Sequence, residues 1–299
     1  MIYKTLTIAS FLLFLLACQS KTDNTQSDNI VRNIEIKNAI NSTKLDTKSE
    51  HESQKVTFDW SLTQTLKKKL IVDLQKDSND IDKTIMQFLV EYGKIENDFN
   101  EILFDLSNYD SLNTLAYAPD NIVYESALNF KRKIESNGFS ISQSEGMIYI
   151  AKNTDYIKSD VFEFLDSTSI NFIQLYCKEI DSGCCDDAAI VISKESLIQR
   201  AFDWGNLLEK TTDLEYKHLT ESKFLSYLSL IYLGQENTPS FDWTTEKFNN
   251  KLFELMTGII EKYPKSKASK EFKEYTELLV KEGFKKTEKI DDYIKGLKE

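Results

Sequence analysis

The sequence predicts a mostly α protein: a helical bundle or α-hairpin stack with one small β-hairpin insertion. Three observations predict it. The 299 residues include only 3 Pro and 9 Gly, and a chain poor in breakers but rich in Leu, Ile, Lys and Glu favours helix. Apolar residues recur every third or fourth position through much of 81–280, the spacing of one face of an α-helix. A single stretch, Phe139 to Asn153, alternates apolar and polar instead, which is the period of a half-buried strand.

The chain opens with MIYKTLTIASFLLFLLACQS: Lys4, an apolar run from Leu6 to Ala17, then Cys18 and an abrupt change to polar residues. Twelve apolar-biased residues span about 18 Å as a helix, short of the ~30 Å hydrocarbon core. Residues 1–17 therefore read as an export signal peptide rather than a membrane span. The end of the run, Leu15-Leu16-Ala17-Cys18, resembles the lipobox of bacterial lipoproteins. The resemblance implies cleavage just before Cys18 and two or three acyl chains, palmitate-like in length, on that residue. It also implies a bacterial cell envelope address. Gln19, where Asp favours inner-membrane retention in enterobacterial lipoproteins, points to the outer membrane, with the periplasmic or surface face left open. Two or three long chains hold a protein to a bilayer essentially permanently.

Residues 18–55 are predicted to be the lipidated Cys followed by a disordered tether. From Gln19 to Lys55 there is no aromatic residue, and Ser, Thr, Asn, Asp and Lys dominate. Such a segment buries too little apolar surface to offset its chain entropy. As a coil it reaches about 30–35 Å.

The body, 56–299, divides in this reading into an N-terminal helical domain, 56–190, and a C-terminal helical domain, 191–299. In the first, Ser61-Leu62-Thr63-Gln64 fits a capping box, and Ile81, Ile85, Phe88, Leu89, Tyr92, Ile95, Phe99, Ile102, Leu103 and Leu106 form one long stripe. The acidic run Asp77-Ser78-Asn79-Asp80-Ile81-Asp82 lacks the Gly of a calcium loop and is read as the N-terminal cap of that helix. A second stripe, Ile122 to Ile134, begins after Pro119-Asp120 and ends at Asn137-Gly138. The alternating segment around Glu145-Gly146 is predicted as a β-hairpin near 139–151. A further stripe runs from Ile170 to Ile180.

In the second domain, stripes cover Leu197–Leu208, Phe224–Leu233, Phe248–Ile260 and Phe272–Val280, and Lys281 to Lys298 reads as a solvated amphipathic helix. Tyr263-Pro264-Lys265-Ser266, between two stripes, resembles the turn of tetratricopeptide-repeat-like bacterial lipoproteins, with Ala268 at a small-residue position. The resemblance covers about 40 residues and implies an α-hairpin stack. Phe-Asp-Trp occurs at 58–60, 202–204 and 241–243 and contains every Trp of the chain. The first and third copies precede stripes and are expected to cap helices; the middle copy lies inside one, and all three are expected to act as structural anchors.

Little catalytic chemistry can be drawn from the sequence. The two His are His51, in the tether, and His218, so no Ser-His-Asp or Cys-His arrangement is complete. His218 and Glu221 are spaced as an ordinary surface pair rather than half of a metal site. No catalytic residue, metal or cofactor is expected. In an oxidising compartment Cys177 is expected to bridge to Cys184 or Cys185, closing a loop that stabilises by about 2–2.5 kcal/mol. The remaining thiol is expected to be buried, to bridge another molecule or to bind a soft metal. The net charge of −11, with no basic patch, argues against nucleic acid. The expectation is a non-enzymatic binding or assembly module with a protein partner in the envelope, attached to the membrane through its acyl chains. The alternatives are an envelope hydrolase using a carboxylate pair on polysaccharide, and a cysteine-based redox or stress sensor.

Overall fold

A computed structural model describes residues 58–76, 80–106, 109, 112–113, 125–144, 146–211 and 215–297. The expected signal peptide, Cys18, the expected tether with His51, Asp77 to Asn79 and Asp120 lie outside the described residues. Val56–Glu299 forms one compact unit. The described chain is mostly helical, with ten α-helices and three small two-stranded antiparallel sheets.

The helices α1 (Ser61–Lys76) and α2 (Ile81–Phe104) pair as a hairpin. The predicted stripe is the buried face of α2: Ile85, Phe88, Leu89, Tyr92, Phe99 and Leu103 are all buried. The start of α1 differs from the expected capping box. Asp59 Oδ1 accepts from Ser61 N (3.0 Å) and Ser61 Oγ (2.7 Å), while Gln64 Nε2 reaches Asn137 Oδ1 at 3.0 Å. Asp59 therefore supplies the cap, because the residue two before Ser61 N already satisfies the first free donor. At α2 the cap residue is Asp80 with no side-chain cap bond. Its neighbour Asp82 instead accepts from Glu215 N at 2.6 Å.

Helix α3 (Glu125–Ser136) stops at Gly138, whose φ of 90° is a conformation that side chains resist. A Cβ there would lie 2.7 Å from the Tyr156 ring. The next two elements are the predicted hairpin, β1 (Phe139–Ser144) and β2 (Met147–Lys152), with Ile141 opposite Ile150. The outer edge of β2 is closed by side chains at every second residue. Glu96 Oε1 accepts from Lys152 N (3.0 Å), Asn100 both accepts from Ile150 N (2.7 Å) and donates to Ile150 O (2.8 Å), and Tyr109 OH donates to Ile148 O (3.1 Å). Glu96 and Asn100 sit one turn apart on α2, so they meet alternate outward-facing backbone groups of the strand. Lys152 Nζ completes the arrangement with an ion pair to Glu96.

Short helix α4 (Thr154–Lys158) ends on a buried lysine. Lys67 Nζ donates to the carbonyls of Tyr156 (2.6 Å), Ile157 (3.5 Å) and Ser159 (2.5 Å). An ammonium at a helix C-terminus satisfies both the orphan carbonyls and the negative end of the dipole.

A 3-10 turn at Phe162–Phe164 leads into α5 (Ser167–Asp181), followed by minimal strands β3 (Cys185–Asp186) and β4 (Ala189–Ile190). Helices α6 (Lys194–Leu208) and α7 (Lys217–Leu233) form the most extensive helix pair. Strands β5 (Gly234–Gln235) and β6 (Thr238–Pro239) then precede α8 (Asn250–Lys262), α9 (Lys267–Lys281) and α10 (Glu288–Gly296). Five of these helices begin on a side chain that accepts from the N–H three residues on: Asn153 (α4), Asp166 (α5), Ser193 (α6), Asn249 (α8) and Ser266 (α9), each worth about 1 kcal/mol.

The Tyr263 to Ser266 turn joins α8 and α9 into a helical hairpin, and Ala268 is fully buried. The C-terminal segment is not one solvated helix. The chain turns at Gly283 and Phe284, both at positive φ, and α10 then buries Ile290 and Ile294. The turn forms because Phe284 N bonds back to Leu279 O at 2.7 Å, closing α9 in the manner of a left-handed cap.

Replacing Lys67 by Met keeps the stem and removes the three donors, so the carbonyls ending α4 lose their partners. A loss of about 1–3 kcal/mol is expected, measured by denaturant unfolding; an unchanged midpoint would contradict this role.

Candidate functional site

The three Phe-Asp-Trp copies have three fates. Trp60 is half-buried and stacks on Phe58 with centroids 4.8 Å apart. Trp204 is wholly buried in α6, with Phe202 against Tyr263. Trp243 is 75% exposed although Phe241 beside it is buried. The third copy does not cap a helix. Asp242 Oδ1 accepts from Thr244 N (3.1 Å), Thr245 N (2.7 Å) and Thr245 Oγ1 (2.8 Å), and Phe241 bridges Phe248. The result is a closed turn, 241–248, that ends before α8 begins. The bonds from Thr245 N and Oγ1 and from Thr244 N hold the Asp242 carboxyl below the usual range.

The second place of interest lies where α5, α6 and α7 meet. Arg200 and Trp204 stand one turn apart on α6, Glu179 is near the end of α5, and Tyr227 is on α7. Glu179 Oε1 accepts from Trp204 Nε1 (3.1 Å) and Oε2 from Tyr227 OH (2.6 Å), with Arg200 Nη1 3.6 Å from Oε2. Arg200 Nη1 also donates to Tyr227 OH (3.2 Å), and Nη2 to Ser182 Oγ (2.7 Å). The Arg200 side chain is only 3% exposed, and its Nε is buried with no hydrogen-bond partner. Burial, reinforced by the Glu179 carboxylate, holds the Tyr227 hydroxyl far above its ordinary pKa, so it stays a donor.

Cys184 and Cys185 adjoin this network, with their Sγ atoms 3.3 Å apart. Gln235 Nε2 lies 3.9 Å from Cys185 Sγ, and Val191 N donates to Cys184 O at 2.9 Å. The expected bridge from Cys177 is not formed: no disulfide joins Cys177, Cys184 and Cys185. Cys177 is buried in the seam between α4 and α5, with Sγ 3.9 Å from Thr154 O, whereas the other two lie beyond the end of α5. Burial pushes the Cys177 thiol up to about 12. Cys184 is brought down to about 7, first by the hydrogen bond with Cys185, against burial and Glu179, and with help from Tyr227 and Lys223.

Between α5 and α6 an open cleft of about 300 Å³ is lined by Asn171, Gln174, Leu175, Asp203, Asn206, Leu207 and Lys210. It carries one carboxylate, Asp203, whose pKa burial raises. Among the described residues no group of three or more His, Cys, Asp or Glu is arranged to hold a metal, and no helix is long and apolar enough to cross a membrane. The chain matches no family model, no curated protein and no solved structure.

Sequence reasoning singled out the cysteines but missed Glu179, Arg200 and Tyr227 as a unit. One signal was present. Arg200 falls at an inward position of the stripe formed by Leu197, Ala201, Trp204 and Leu208, where a charge requires a buried partner.

Three helices place charge or hydroxyl near Cys184, namely Glu179 on α5, Arg200 on α6, and Tyr227 and Lys223 on α7, and the Cys185 thiol lies beside it. A thiol lowered to about 7 gains thiolate as pH rises through neutrality. The iodoacetamide rate at Cys184 is therefore expected to reach half its maximum near pH 7, with Cys177 unreactive throughout. A midpoint near that of an ordinary thiol, or equal labelling of Cys177, would contradict the assignment.

Proposed function

We propose that this chain is a lipid-anchored cell-envelope protein acting as a non-enzymatic binding or assembly module. Acyl chains on Cys18 attach it to a bacterial outer membrane, and a protein of the envelope is its partner. The attachment rests on Leu15-Leu16-Ala17-Cys18 and the apolar run before it. Binding rests on one observation, the outward indole of Trp243 on a turn already closed by Asp242.

An indole held in water forgoes the hydrophobic gain of burial, of order 2–3 kcal/mol for a large side chain. It regains that gain when a partner covers it. Because the turn is fixed beforehand, little conformational entropy is lost on docking. Trp is also among the residue types that dominate interface energetics.

Two experiments test this reading. Cys18→Ala is expected to remove the lipid mass increment and release the protein from membranes; continued detergent partitioning would refute the anchor. For the partner, crosslinking in native membranes is compared for the unaltered chain and Trp243→Ala. The variant is expected to unfold at the same temperature and to bind its crosslinked partner about 30-fold more weakly, the consequence of losing ~2 kcal/mol at a hot spot. Equal crosslinking by both chains would refute the role of the turn.

A further inference from the structure

We propose that Cys184 and Cys185 are a reversible redox pair that a hydroperoxide closes into a disulfide between adjacent residues, with Cys184 attacking and Cys185 resolving. The proposal is independent of the membrane anchor and of Trp243.

Geometry carries the pairing. The two sulfur atoms are 3.3 Å apart, so a contraction of little more than an ångström forms a bond of about 2.05 Å. Both residues are half-buried at the margin of the α5–α6–α7 junction, so each keeps part of its surface in contact with solvent. Cys177 is excluded from the pair by its burial between α4 and α5.

The environment assigns the roles. Hydrogen bonds from Cys185 and Tyr227 and the positive charge of Lys223 act on the Cys184 sulfur and favour its thiolate. Arg200 contributes a buried guanidinium whose Nε is unmet, and its field favours the thiolate. A thiolate at Cys184 attacks one peroxide oxygen and takes it up as a sulfenic acid. The O–O bond breaks, and the other oxygen leaves as alkoxide or hydroxide, which a proton converts to alcohol or water. The Cys185 thiol then attacks the Cys184 sulfur, the S–O bond breaks and water departs. In sum, two thiols and one hydroperoxide give one disulfide, one alcohol or water, and one water.

The pair suits a switch better than a staple. Adjacent Cα atoms are about 3.8 Å apart, below the usual disulfide range of about 4.4–6.8 Å. The ring is strained and correspondingly easy to reduce. Its closing also acts on its surroundings. Cys185 pairs with Ile190, and the β3–β4 turn has Asp187 and Ala188 at positive φ. That turn is tied to the β5–β6 turn by Asn237 N to Ala188 O (2.9 Å), Asn237 Nδ2 to Asp187 O (2.8 Å) and Ile190 N to Thr238 Oγ1 (2.7 Å). Movement at Cys184 and Cys185 therefore reaches the end of α7.

The test uses the full-length chain, purified under reducing conditions and treated with about one equivalent of hydrogen peroxide. Peptide mapping is expected to show the loss of two hydrogen atoms in the peptide holding Cys184 and Cys185, reversed by glutathione, with Cys177 still alkylatable after denaturation. In Cys185→Ser, dimedone is expected to trap a sulfenic acid at Cys184; in Cys184→Ser, trapping at position 185 is expected to be at least tenfold slower. The pairing would be overturned by a bridge mapping to Cys177, by sulfinic acid without a disulfide, or by no reaction at stoichiometric peroxide. Equal dimedone trapping in the two variants would overturn the roles. The mapping on the unaltered chain decides the pairing without any variant.

Discussion

A carboxylate withdrawn from water has to be partnered on every side, and Glu179 sets that requirement at the junction of α5, α6 and α7. Its two oxygens are held by an indole N–H, a phenol and a guanidinium drawn from two other helices. An apolar contact tolerates small slips, whereas the bonds that Glu179 accepts depend on distance and angle and hold together in one arrangement of the three helices, even with Arg200 Nε left without a partner. Removing any one member would strand another in a low-dielectric interior. The mutual angle of three helices is thus fixed by charge as well as by shape, and the cysteines at its margin inherit a defined electrostatic setting.

How far the fold can be read beforehand depends on whether neighbours in sequence decide it. The long stripe from Ile81 to Leu106 maps onto α2, and the hairpin spans 139–152, because both patterns are local and each has one stable way to bury itself. Gly138 and Ser266 terminate and start helices for equally local reasons. The failures are of another kind. The capping box at Ser61 gave way to Asp59 because Gln64 found Asn137, 73 residues away in sequence. The segment after Lys281 breaks where Phe284 turns back on α9 to allow α10 to bury two Ile residues against the bundle.

The cysteines and the tryptophans illustrate the same limit from the side of function. Spacing alone offers Cys177 as a partner for either later thiol, yet the side chain faces the opposite seam of α5. Three copies of one tripeptide place one indole in a stack, one in the core and one in water. Identity of residues says little here about role. What distinguishes the copies is the element that carries them: a helix start, a helix interior and a closed turn.

The closed edge of β2 has a consequence for a protein crowded among copies of itself. Strand edges recruit other strands, because backbone N–H and C=O groups bond without regard to which chain supplies the partner. Glu96, Asn100 and Tyr109 occupy those groups with side chains, so β2 offers no template for lengthening a sheet from one molecule to the next. Many molecules can then share a small patch of surface without this strand seeding fibres, and sociability is left to side chains that select their company.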